Sequence, residues 1–306
     1  MSLRTPSFVV HYLQGILMGA ADSVPGVSGG TMALIVGIYT RLLSSIGEGA
    51  RALVALLRFD GAAFRGRFAR VEWSLLAPLL AGIVTALVVA SRFILDALDR
   101  YPRQSLGLFL GLVAGSLVIP WRRMSVPISR SLPIILGSAL AAFFLSGLPA
   151  GVIESPSRIQ VFFGAMVAIC AMILPGVSGA FLLKVIGIYE PTLTALRDLD
   201  LAYVVTFAAG AIIGLGTFAV LLVRLLANRH DGTMAVLIGL MAGSLRALWP
   251  WQTADRGLVM PTAGEPVVGV IVAVVLGLVA VSLIDWVSRG VDADPPRPRR
   301  SGGPVR

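Results

Sequence analysis

Residues 25–29 read Pro-Gly-Val-Ser-Gly, and the same five residues return at 175–179. At the same offset, Gly37-Ile38-Tyr39 returns as Gly187-Ile188-Tyr189. Each copy has an apolar arm before the break and another after it, and each arm is shorter than the 20 or so residues that cross a bilayer. Proline fixes φ and gives up a donor, while glycine opens backbone shapes closed to other residues, so a helix does not run unbroken through PGVSGG. The pattern predicts two re-entrant helical hairpins, over 7–46 and 159–196, with tips at membrane depth. Irregular backbone is tolerated there only when buried in protein or lining a watery cavity. Matched breaks in two halves of a chain point to a transport site.

Composition agrees. At 57% hydrophobic, 13% charged and a mean hydropathy of +0.88, the chain is too apolar for a soluble domain and reads as a polytopic membrane protein. The single cysteine, Cys170, lies in an apolar run and reads as a structural thiol. No cleavable signal peptide is expected, since the first apolar arm leads into PGVSGG. The net charge of +9 raises nucleic acid as a partner, but its distribution argues for a membrane instead.

Spans are expected at 73–92, 104–120, 131–149, 201–223, 233–249 and 267–287. A basic loop over 47–72 carries Arg51, Arg58, Arg65, Arg67 and Arg70, with Phe59, Phe64 and Phe68 between them, and suits the surface of anionic lipid. With both termini cytoplasmic and each hairpin returning to its own side, 16 arginines fall inside and six outside, where eight acidic residues gather; this is the positive-inside pattern. It also gives the two hairpins opposite topology. The expected fold is therefore an all-α polytopic membrane protein built as an inverted repeat, each half a re-entrant hairpin plus three transmembrane helices, over 1–149 and 150–288, with a disordered basic tail at 289–306. A second echo, Gly111-Leu-Val-Ala-Gly-Ser-Leu117 against Gly239-Leu-Met-Ala-Gly-Ser-Leu245, supports the duplication. Inverted repeats are a frame for alternating access.

The tips put Ser28, Gly29, Gly30 and Thr31, and Ser178 and Gly179, at the start of each second arm. A helix N-terminus offers unpaired N–H groups and partial positive charge, and glycine lets a ligand approach closely, so two tips meeting would bind an anion. The plainer reading is that the serines cap helices and the glycines allow tight packing. Asp22, beside the first break, either takes a proton during transport or caps the tip. Lys184 and Arg246 are candidate phosphate ligands; snorkelling is the competing role, and it applies to Arg41 as well. Ser23, Pro25, Gly26, Pro175 and Gly176 shape the tips. His11 and His230 are far apart and no metal, nucleophile or nucleotide-binding motif occurs, so no enzyme, metal or cofactor is expected.

GILMGAADSVPGVSGGTMALIVGIYTRLL, LPGVSGAFLLKVIGIYE and GLMAGSLRALWPW, in that order, resemble the three signatures of a bacterial membrane family, long filed as a domain of unknown function, associated with polyprenyl-phosphate transport. The resemblance covers the chain apart from its tail. It implies recycling of undecaprenyl phosphate from the outer to the inner leaflet of the cytoplasmic membrane, with Asp22, Ser23, Pro25, Gly26, Ser28, Gly29, Gly30, Thr31, Pro175, Gly176, Ser178, Gly179 and Arg246 at the site. Lys184 and Ala180 depart from the pattern, in place of an aliphatic residue and a serine. The implied partners are the lipid phosphate and membrane lipids, with no nucleic acid. A transporter or channel for a small soluble anion is the alternative.

Overall fold

A computed structural model describes residues 7–22, 28–253 and 255–291, and these contain helices and turns with no strand. The first hairpin begins with α1 (Ser7–Asp22) and resumes with α2 (Gly29–Ile35) and α3 (Tyr39–Leu57). Next come α4 (Gly61–Phe68), α5 (Trp73–Thr85), a π turn at Ala86–Ala90 and α6 (Ser91–Arg100). Then α7 (Pro102–Ser116), α8 (Val118–Arg122) and α9 (Ile128–Ser146) complete the first half. The second hairpin is α10 (Arg158–Ile173), α11 (Gly179–Ile186) and α12 (Tyr189–Arg197). The chain closes with α13 (Leu201–Asn228), α14 (His230–Ser244), a 3-10 turn at Leu245–Leu248 and α15 (Val267–Val291).

Among the described residues five helices are long and apolar enough to cross a membrane, or up to seven if two bent pairs each count as one span. Three sequence expectations change in detail. The second arm of each hairpin is two helices, because Gly37 and Gly187 sit at φ 82 and 90, a left-handed conformation that glycine adopts at little cost and that ends α2 and α11. The pair α11 and α12 meet at 102°. Residues 47–72, expected as a loop, are mostly helix: α3 continues to Leu57, and Asp60 caps α4 by accepting from the Ala63 N–H at 2.9 Å. The stretch 93–103, left between the spans expected at 73–92 and 104–120, is largely helix, since α6 reaches Arg100. The tail beyond Val291 lies outside the described residues.

Four helix pairs carry most of the packing: α1 on α5, α10 on α13, α7 on α15 and α9 on α14. Apolar burial alone does not join helices in lipid; close backbone approach does, and small residues permit it. At Gly82 an added Cβ would lie 2.8 Å from the Ile16 nitrogen, and at Gly111 2.9 Å from the Val274 carbonyl carbon. Gly210 meets Phe162 and Gly243 meets Ala139 and Phe143 in the same way. Gly111 and Gly243, in the repeated GLVAGSL and GLMAGSL segments, thus each seat a neighbouring helix.

Polar contacts tie neighbouring helix ends together. Arg103 pairs with Glu265 at 2.7 Å and Arg122 with Asp285 at 3.5 Å, and the Asp231 carboxylate accepts from the Ser125 N–H at 2.6 Å. At the centre sits α2, all seven of its residues buried, among Tyr39, Leu43, Leu75, Leu79, Leu237 and Met241.

Candidate functional site

The two hairpins meet. Helix α10 ends just before the second break, so its last carbonyls lack intrahelical partners. The first hairpin supplies them: the Ser28 hydroxyl donates to the Met172 carbonyl at 2.8 Å and the Tyr39 hydroxyl to Ile173 at 3.2 Å. In return the Gly176 N–H donates to the Thr31 hydroxyl oxygen at 3.0 Å. Ser28, Thr31 and Tyr39 are all buried. Gly30 closes the contact, for a Cβ there would lie 2.9 Å from the Ile173 carbonyl carbon. The hydroxyls singled out from sequence as phosphate donors are, in this conformation, joined to the opposite hairpin.

Helix α2 is capped twice from within. Ser28 accepts from the Gly30 N–H at 3.1 Å, and Asp22 Oδ1 accepts from the Gly29 N–H at 2.6 Å. Of the two roles open to Asp22, capping is the one this arrangement displays. Ser23, Pro25 and Gly26 lie outside the described residues.

The second tip is bent by Gly176, whose φ is +85. A side chain there would be strained and would also lie 2.6 Å from the Met241 α-carbon, so both conformation and packing demand glycine. Pro175 is buried beside it. Ser178 caps α11 by accepting from the Phe181 N–H at 3.3 Å, and Gly179 seats the helix against Ala168 and Met172 of α10. A cavity of about 40 Å³ opens at this tip, bounded by Gly176, Val177, Ser178, Ser146, Ser244 and Arg256. That is room for about two or three water molecules.

Arg246 and Arg256 stand together beside it. Arg246 follows α14 in the 3-10 turn; its guanidinium donates to the Phe143 carbonyl at 3.4 Å and the Arg256 carbonyl at 3.2 Å, and lies 4.6 Å over the Phe143 ring. Its Nε is buried with no hydrogen-bond partner among the described residues. Arg256 donates to the Ser146 carbonyl at 3.3 Å and lies 4.3 Å over the Phe181 ring. Arg256, rather than Arg246, reaches the cavity wall. Neither makes an ion pair with an acidic side chain among the described residues. Burial, and then the like charge of Arg246, pull the Arg256 pKa below its ordinary value. Two guanidiniums held by carbonyls and aromatic faces, without a carboxylate, make a neighbourhood that an anion would relieve.

Sequence reasoning missed Arg256, which falls between the spans expected at 233–249 and 267–287. The loop folds back on itself: Trp251 accepts through its carbonyl from the Val259 N–H at 3.1 Å, and Thr253 donates to the Gly257 carbonyl at 2.9 Å. Gln252 pins the base by donating to the carbonyls of Arg246, Ala247 and Trp249. Arg256 thereby sits at the turn with φ 64, a left-handed conformation costly for a residue with a long side chain. Only the turn residues Thr-Ala-Asp-Arg-Gly hinted at this.

Lys184 is not brought to the tips. Its ammonium lies 4.7 Å over the Tyr189 ring and lines a separate cavity of about 850 Å³ with Glu154, Glu190, Asp198 and Asp200. Arg41 is also elsewhere, bound to Glu72. His11 is buried and bonded to Gln14 at 2.8 Å.

The model of a family described as VCA0040-like, undecaprenyl phosphate translocase-like, matches residues 18–267. The chain belongs to this family. The matched stretch holds both hairpins' breaks, Arg246 and Arg256, and ends at the first residue of α15. Two relatives carry the name polyprenyl-phosphate transporter. One, from Vibrio cholerae serotype O1, is 38% identical over 256 residues, covering 82% of this chain and 81% of its own. The other, from Staphylococcus aureus, is 27% identical over 288 residues, covering 88% and 95%. No solved structure matches.

Proposed function

We propose that this protein moves undecaprenyl phosphate or a related polyprenyl phosphate across the bacterial cytoplasmic membrane, holding the phosphate at the second hairpin tip while the prenyl chain stays in lipid. The observation that carries the reading is the small cavity shared by Ser178, the Gly176-Val177 backbone and Arg256, with Arg246 behind it. A lipid phosphate needs a cationic, donor-lined pocket for its head, and Arg in a fork geometry with the first turn of α11 offers that. The names of the relatives in Vibrio cholerae and Staphylococcus aureus supply the substrate class.

At about 40 Å³ the cavity is closed to a phosphate monoester. Loading needs the Arg256 turn or the tip to withdraw toward one face, and release needs the opposite movement. We read this as alternating access about the joined tips, with Ser28 and Thr31 freed as phosphate donors when the hairpins part. In this reading residues 1–149 and 150–288 are repeats of opposite topology, both termini are cytoplasmic, and transport runs from the outer to the inner leaflet. The equivalence of the α1–α5 and α10–α13 pairs supports the repeat.

The test is leaflet exchange in liposomes containing undecaprenyl phosphate, read with a membrane-impermeant probe of the head group. Wild type should exchange the lipid and Arg256→Gln should be slower by about tenfold or more, the effect of losing one charge-assisted contact. Absence of exchange by wild type, with and without a pH gradient, would overturn the reading. Uptake of inorganic phosphate by the same vesicles would point to a soluble anion instead.

A further inference from the structure

The helices that flank the tip cavity are not packed on each other. Helix α9 is seated on α14 and α11 on α10, while α9 and α11 form no close pair of their own. The seam between them is tied at one end, where the Gly151 N–H donates to the Lys184 carbonyl at 3.0 Å. Beside the cavity it is closed by side chains, Ala142 and Leu145 of α9 and Phe181 of α11. Phe181 is buried, whereas Leu145 is half-buried and its neighbours Ala141 and Phe144 are exposed. Leu145 therefore stands between the cavity and the lipid-facing surface of α9.

Arg256 staples this seam. Its guanidinium donates to the Ser146 carbonyl at the end of α9 and lies over the Phe181 ring of α11. The last carbonyls of a helix lack intrahelical partners, so the first of these contacts also caps α9. A phosphate monoester competes with both contacts, because its paired anionic oxygens match the guanidinium fork better than one carbonyl and one ring face do. Taking the head group removes the staple.

Two observations bear on what passes through. The cavity lining combines Ser178, Ser244 and Arg256 with Ala142, Leu145 and Phe181; an inorganic phosphate has no apolar surface to cover, and a prenyl phosphate has. The approach from water is also hostile to an anion. Nearly one turn beyond Phe181 on α11, Lys184 opens onto a cavity that Glu154, Glu190, Asp198 and Asp200 also line, and a concave surface dominated by one sign of charge focuses its field against that sign. We propose, resting on the reading that the tip holds a phosphate head, that α9 and α11 form a lateral passage for the prenyl chain. Leu145 and Phe181 are its leaves, and Arg256 is the latch that the head group itself releases. The lipid then reaches the tip in the plane of the membrane, with its chain never leaving an apolar surface.

Photolabelling of the full-length protein in liposomes tests the passage, with a polyprenyl phosphate and the matching free prenol as probes, each carrying a diazirine on the isoprene unit next to the head. Because α9 is open to any lipid, the informative site is the buried Phe181. The phosphate probe should label the α11 peptide about tenfold more than the prenol does, the effect of one charge-assisted contact. Undecaprenyl phosphate should compete for that label, and Arg256→Gln should lose the difference between the probes. Equal labelling of α11 by both probes, or phosphate-dependent labelling confined to other helices, would overturn the passage. A second measurement bridges Leu145→Cys to Phe181→Cys with a short, reducible bifunctional thiol reagent in a Cys170→Ala background. Bridging should stop leaflet exchange of undecaprenyl phosphate and reductant should restore it; exchange that continues through a complete bridge would overturn the passage as well. Wild-type exchange separates the two failures: its absence sinks the tip reading, whereas exchange without label on α11 sinks the passage alone.

Discussion

Gly30→Ala tests whether the joined hairpins are a structural necessity. The added methyl would lie 2.9 Å from the Ile173 carbonyl carbon and 3.1 Å from the Met172 oxygen, both main chain and unable to rotate away. Relief requires the hairpins to separate by roughly 1 Å, given that carbon-to-carbon contacts settle near 3.5–4.0 Å. The bonds at 2.8, 3.2 and 3.0 Å from Ser28 and Tyr39 to α10 and from Gly176 to Thr31 would then exceed hydrogen-bonding distance. Three net bonds at about 1 kcal/mol each amount to about 3 kcal/mol. Replacing glycine inside a helix returns about 1 kcal/mol, leaving a net loss of about 2 kcal/mol, or roughly thirtyfold in the folding equilibrium. Gly49→Ala in α3 is the control, for nothing lies within 4 Å of a Cβ there, and propensity alone predicts a gain of about 1 kcal/mol. Reversible unfolding in mixed detergent should therefore give opposite signs for the two variants. A Gly30→Ala protein as stable as Gly49→Ala would refute the interlock.

Three further outcomes are expected. Arg256→Gly relieves the left-handed strain at φ 64, worth about 1 kcal/mol, but loses the Ser146 hydrogen bond and the Phe181 contact. It should therefore be no more stable than wild type and more stable than Arg256→Ala, which loses the same contacts and keeps the strain, while slowing lipid exchange at least as much as Arg256→Gln. An Arg256→Gly protein less stable than Arg256→Ala, or one that transports normally, would contradict these roles. Lys184→Met should leave exchange within about twofold of wild type, because the ammonium lines the acidic cavity rather than the tip; a larger loss in the liposome assay would bring Lys184 back to the site. The hydrogen bond and charge of Arg41, opposed by a smaller desolvation effect, hold the Glu72 carboxyl below its ordinary 4.5. This depressed folded-state value stabilises the fold above about pH 4.5, an effect lost as pH falls further; being half-exposed, the pair contributes about 1 kcal/mol or less. Melting curves of Glu72→Gln should match wild type more closely at pH 4 than at pH 7, and a constant offset would exclude the pair as the cause.

Much of this was legible in the chain because the features are local. Pro175 and Gly176 together break a helix, one lacking a donor and the other taking a left-handed turn, and the apolar runs at 201–223 and 267–287 lie inside the helices α13 and α15. The breaks at Gly37 and Gly187 were hidden, since each stands in an apolar stretch that reads as one arm until its φ is known. Arg256 was hidden for another reason. Its position depends on Gln252 holding three carbonyls and on a turn that returns it to α9 and α11, contacts that no spacing encodes. Lys184 misled because one cation in an apolar helix resembles a ligand until its surroundings are known, here the Tyr189 ring and a cavity that four carboxylates also line.

The way the helices pair also limits how such a molecule can move. Helix α7 is seated on α15 and α9 on α14, each by glycines pressed to a neighbour's main chain, so each half of the chain clasps a helix of the other. Pulling the halves apart as two blocks would open both clasps at once. Motion is easier at joints made of a few hydrogen bonds and a single turn. In the proposed cycle the body that would swing is a hairpin with the helix it rides on, against a frame of α7, α9, α14 and α15, and the packing of α3 on α13 would couple the two swings. In the proposed transport cycle the hairpins would act as levers on a shared chassis, with the left-handed turns at Gly37 and Gly187 as the joints to test.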